Sequence, residues 1–148
     1  MPEIELIELH KASAHFPIAL LITNVFFDIA GRVFKKPNFQ IVSYWIHLLG
    51  VVASIATIIL GAVGNPFFED VGLLGNPLKD YGNEMTHKAV QHSWLGIAGF
   101  ILFAVLAVWR VKNRGAFGRV ESIVYLSAGI AGVILLGITG YLGSHVMD

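Results

Sequence analysis

The chain has 148 residues, 55% of them hydrophobic and 14% charged, against roughly a quarter charged in soluble domains. Ten Lys and Arg balance ten Asp and Glu, which argues against a nucleic-acid binder, and a mean hydropathy of +0.70 argues against a disordered segment or a water-soluble enzyme. With no cysteine, disulfides, thiolate zinc sites, iron–sulfur clusters and covalently attached haem are excluded, so any metal must rest on the six histidines, the carboxylates or methionine.

Four runs are long and apolar enough to cross a bilayer as helices, about residues 12–31, 41–64, 90–111 and 122–141. They are continuous rather than alternating, which argues against barrel strands. The expected fold is all-α: an integral membrane four-helix bundle, one four-span domain over residues 1–148 with an external loop at 65–86.

In chain order, the first span opens on His10-Lys11-Ala12-Ser13-Ala14-His15, with Pro17 bending its entrance. Asn24 and Asp28 share a face, and Asp28 precedes Arg32 by four residues, the spacing of a boundary ion pair. His47 lies about two turns into the second span, near the depth of Asp28, and is expected to hydrogen-bond it. The external loop carries Phe67, Phe68, Val71, Leu73, Leu74 and Leu78, enough to fold over the bundle as a lid or docking surface. The third span opens on His87-Lys88-Ala89-Val90-Gln91-His92, just after Met85. Tyr44, Trp45, Trp94 and Trp109 sit near span ends as interfacial anchors, and His145 lies beyond the fourth span.

Arg32, Lys35 and Lys36 follow the first span, and Arg110, Lys112, Arg114 and Arg119 follow the third. Because short-loop cations stay cytoplasmic, both termini are expected outside a cytoplasmic membrane, and these cations are assigned to topology alone. Met1-Pro2-Glu3-Ile4-Glu5 lacks the basic start of a removable signal, so the first span is expected to be retained.

The two histidine hexapeptides match at an offset of 77, as do Phe26 and Phe103, while Leu60-Gly61 matches Leu136-Gly137 at 76. This reads as two helix hairpins repeated in parallel about an axis along the membrane normal. On that register His15 faces His92 and His10 faces His87, in layers about 7.5 Å apart. Ala19, Ile22, Phe26 and Ile29 share the His15 face; Gly96, Gly99, Phe103 and Leu106 share the His92 face.

Diagonal helices of a square bundle lie roughly 14 Å apart, close to the span of two imidazoles on one iron. The expectation is one non-covalent b-type haem with His15 and His92 as metal ligands. Gly96 and Gly99 would make room for the ring, and His10, His87, Lys11 and Lys88 would meet its carboxylates. A non-haem zinc, copper or iron site is an alternative, as are purely interfacial histidines.

His10 through Leu20 with its His-Phe-Pro-Ile-Ala-Leu core, the His87–His92 start, Trp109-Arg110, and Thr139-Gly140-Tyr141-Leu142-Gly143 together resemble bacterial membrane proteins catalogued as domain of unknown function 2231. That resemblance covers most of the chain and implies four spans without an agreed activity. More distantly the pattern is similar to the four-helix b-type cytochrome subunits that anchor hydrogenases and formate dehydrogenases. Those place haem ligands in both leaflets, whereas here only His47 lies on the inner side. The expected function is a membrane electron-transfer subunit, relaying electrons between an external redox protein and quinol or another membrane subunit. The alternative is a cofactor-free structural or assembly subunit of a larger respiratory or photosynthetic complex.

Overall fold

Apolar runs flanked by good helix formers extend well past the minimum needed to cross a bilayer. A computed structural model describes residues 2–64, 75, 76, 79, 82–113 and 115–145. Its helices are α1 (Pro2–Val33), α2 (Pro37–Gly64), α3 (Glu84–Lys112) and α4 (Arg119–Ser144), each long and apolar enough to span a membrane. α1 starts ten residues before the expected run, helped by the Lys11–Glu8 ion pair one turn apart. Asn83 caps α3 by accepting the Met85 N–H at 2.9 Å, and Lys88 reaches back to Glu84. Between α1 and α2, Lys35 takes a left-handed conformation (φ 52°) and the Lys36 N–H returns to the Gly31 carbonyl, closing the helix end. The apolar lid expected at 65–86 falls mostly outside the described residues; Gly75 accepts a long bond from Trp94 Nε1 at 3.4 Å.

α1 packs chiefly on α2 and α3 on α4, with α1 against α4 and α2 against α3 as the lesser contacts. The helices thus go round a square in chain order, with α1 and α3 diagonal. Leu21, Val25, Phe103, Leu106, Tyr125 and Leu136 form the core, while Phe26, Trp45, Val52, Val105 and Ile134 point outward, as a lipid-facing surface requires.

Close packing depends on glycines three turns apart. A Cβ on Gly50 would come within 2.8 Å of Leu21, and one on Gly61 within 2.7 Å of the His10 ring. In the other hairpin a Cβ on Gly132 would come within 2.7 Å of Phe103, and one on Gly143 within 2.8 Å of the His92 ring. These matched contacts correct the expected repeat. Equivalent positions lie 82 apart, not 77: 10 and 92, 21 and 103, 50 and 132, 57 and 139, 61 and 143. The parallel-hairpin architecture stands; its register moves by five residues, which turns α1 to present a different face. Phe103 has Leu21 as its counterpart, and Phe26, 65% exposed, lies on the outer surface.

Candidate functional site

Two polar layers sit at opposite ends of this bundle, both where equivalent residues of the hairpins meet. At one end His10 and His92 reach toward each other across the α1–α3 diagonal, ring centres 6.2 Å apart and planes at 90°. Each ring is anchored identically: His10 Nδ1 lies 2.8 Å from the Thr57 carbonyl and His92 Nδ1 2.9 Å from the Thr139 carbonyl. A carbonyl only accepts, so Nδ1 carries the proton in both rings and Nε2 is left with its lone pair. Among the described residues no hydrogen bond engages either Nε2. Both rings are half-buried, and Gly61 and Gly143 supply the hollows that hold them.

At the other end Arg110 is buried inside α3. Its Nη1 donates to Asp28 Oδ2 at 2.8 Å, Ser43 Oγ at 2.9 Å and the Tyr125 hydroxyl at 3.4 Å, and its Nη2 donates to the Gln40 carbonyl at 2.8 Å. Asp28 also holds Arg32 at 3.1 Å. With its amide nitrogen facing these acceptors, Asn24 donates to Ser43 Oγ at 2.8 Å and Asp28 Oδ2 at 3.3 Å. His47 Nε2 donates to the Phe103 carbonyl at 3.0 Å, so its Nδ1 accepts from the Tyr125 hydroxyl at 3.2 Å. Asp28 and Arg110, and likewise Ser43 and Tyr125, are again 82 positions apart. One clasp therefore joins all four helices, and among the described residues no buried side-chain polar atom lacks a partner. Between the two layers, Leu21 and Phe103 plug the centre with apolar contact.

A family model described as predicted membrane protein (DUF2231) matches residues 7–147. The chain belongs to this family. No curated protein and no solved structure matches. For this DUF2231 chain the multi-pass membrane assignment and the four-helix architecture therefore stand, and the chemistry rests on the two layers.

His92 lies on the interior face of α3, together with Gly99, Phe103 and Leu106. Its partner across the bundle is not the expected His15. His15 is exposed and its Nδ1 bonds the Lys11 carbonyl of its own helix at 2.9 Å; the ring facing His92 is His10. The interior face of α1 is the one that carries Asn24 and Asp28. His87 faces Gln91 Nε2 at 2.9 Å rather than His10. Lys11 and Lys88 pair with Glu8 and Glu84. The glycines expected to clear a porphyrin do something else: a Cβ on Gly96 or Gly99 would make ordinary contact with Thr139, Leu135 and Leu136. With the imidazoles themselves filling the hollows at Gly61 and Gly143, the expected porphyrin slot between His15 and His92 does not fit this packing. Asp28 does pair with Arg32, as the spacing suggested, but His47 bonds Tyr125 and Phe103 instead of Asp28. His145 is exposed, bonded to the Tyr141 carbonyl.

Arg110, expected among the loop cations, lies two residues inside the end of α3. The signal that sets the correct register was present: Thr-x-x-Leu-Gly occurs at 57–61 and again at 139–143.

Proposed function

We propose that the protein is a membrane electron-transfer subunit whose redox centre is a metal ion held between His10 and His92. The supporting observation is the pair of symmetry-matched imidazoles, both fixed in the Nδ1–H tautomer that leaves Nε2 free, which is the outer-shell arrangement of ligating histidines. A single ion there would be held by the Nε2 atoms of His10 and His92. The rings stand at 6.2 Å. Among the described residues no third histidine or carboxylate joins them to form a metal cluster. Zinc favours three or four protein ligands and non-haem iron a carboxylate beside its histidines, so copper is the ion that suits this donor pair. Copper held there would supply one-electron redox chemistry between an external redox protein and a quinone or the cofactor of another membrane subunit. With cations collected at the Arg110 end, the imidazole end and both termini face the cell exterior on this reading.

A second reading has its own support. Each imidazole already joins α1 to α2 or α3 to α4 through a carbonyl, so the pair also suits a cofactor-free structural subunit of a larger membrane complex.

Metal analysis and titration of the purified protein with Cu(I) separate the two. The redox reading expects one copper per chain, with affinity falling about tenfold or more in His10→Ala and His92→Ala and unchanged in His15→Ala. Absence of bound copper in the parent protein leaves the structural reading. A Soret band lost in His92→Ala would instead return haem to the site.

A further inference from the structure

Beside the clasp, the α1–α2 turn and the start of α4 leave an open groove of about 650 Å³ at the arginine-bearing end of the bundle. Arg32, Lys35 and Arg119 line it, with no carboxylate among the described lining residues, and its walls are Pro37, Phe117, Ile123 and Leu126. Arg32 is pre-positioned: Asp28 holds one guanidinium nitrogen, and the plane lies 5.8 Å from the Phe117 ring centre and 5.6 Å from that of Tyr125. Among the described residues neither Lys35 nor Arg119 has an ion-pair partner. The apolar wall does not end at the groove. Ile123, Ile130 and Ile134 are exposed at spacings of seven and four, so one stripe runs from the groove down the lipid-facing side of α4.

We propose that this groove binds an anionic phospholipid, the phosphodiester among Arg32, Lys35 and Arg119 and an acyl chain along Ile123, Ile130 and Ile134. Basic pockets between helices at the cytoplasmic boundary recognise anionic headgroups, each nearby cation adding to the attraction. Charge complementarity selects an anion, and the apolar stripe leading into the bilayer selects one that carries hydrocarbon. The site is independent of any metal at the histidine end.

The full chain in neutral detergent, titrated with phosphatidylglycerol or phosphatidylcholine and read by native mass spectrometry, tests this. Phosphatidylglycerol is expected to bind about tenfold more tightly than phosphatidylcholine, and the preference to disappear in Lys35→Gln/Arg119→Gln and in Ser122→Glu, which places a carboxylate in the groove. Lys36→Gln/Lys112→Gln removes the same charge from exposed positions outside the groove and is expected to keep the preference. Equal binding of the two lipids, an unchanged preference in both groove variants, or equal losses in groove and control variants overturns the proposal. So does inorganic phosphate binding as tightly as phosphatidylglycerol, which would make the site one for free anions.

Discussion

Asp28 is the residue on which the clasp turns, because it neutralises two guanidinium groups from different hairpins, Arg110 at 2.8 Å and Arg32 at 3.1 Å. Its side chain is 1% exposed, as is His47 overall, so the charges are offset by neighbours and not by water. Removing one partner of a buried pair leaves the other uncompensated, which costs about 3–5 kcal/mol, whereas replacing both with apolar groups is often neutral. Asp28→Asn is therefore expected to lower stability by that amount in denaturant unfolding of the detergent-solubilised protein. Asp28→Leu combined with Arg110→Leu is expected to lose much less, since Arg32, half-buried at the helix end, can turn to solvent. A double variant as unstable as Asp28→Asn would mean that shape, not charge compensation, governs the clasp. The Asp28–Arg32 half of this arrangement was legible from spacing. The Arg110 half was not, because proximity in sequence to Lys112 and Arg114 disguises a side chain that the helix turns inward.

At the scale of the helix, the sequence does not distinguish glycines that admit a close neighbour from glycines that do not. Gly50, Gly61, Gly132 and Gly143 mark close approach within a hairpin, and Gly137 and Gly140 mark nothing but outer surface. Gly132→Ala is expected to cost about 1–3 kcal/mol by pushing Phe103 aside in a packed core. Gly137→Ala has no neighbour within 4 Å and is expected to be neutral, both being read from thermal unfolding in the same detergent. Equal effects would refute the assigned facing of α4. α1 illustrates why facing is hard to read: in lipid, an interior stripe and an outer stripe are equally apolar, so periodicity does not separate them. What distinguishes the faces of α1 is Asn24 and Asp28, and a polar pair in a span belongs inside.

For the whole molecule, the two hairpins meet on a shared axis through His10 against His92 and Asp28 against Arg110, while most helix–helix contact stays within each hairpin. Each hairpin should therefore insert as a unit and the clasp should join them. Chains cut in the 65–86 connection and produced as two pieces, residues 1–72 and 73–148, are expected to copurify. Arg110→Ala in the second piece is expected to abolish copurification, which an affinity tag on the first piece reads directly. Copurification undiminished by Arg110→Ala would show that apolar contact alone holds the hairpins together.

Hydrophobic length by itself determined the four membrane helices and their all-α architecture, because a bilayer leaves the backbone no other way to satisfy its amides. Residue recurrence likewise revealed that the chain is two hairpins in parallel, and placed His92 on an interior face. Tertiary structure alone decided the register, since a shift of five residues in a helix moves a side chain about 140° around it and 7.5 Å along it while hardly changing the apolar pattern. That shift exchanged His15 for His10, filled with imidazole the space expected for a porphyrin, and brought Arg110 from a supposed loop to the centre of a four-helix clasp.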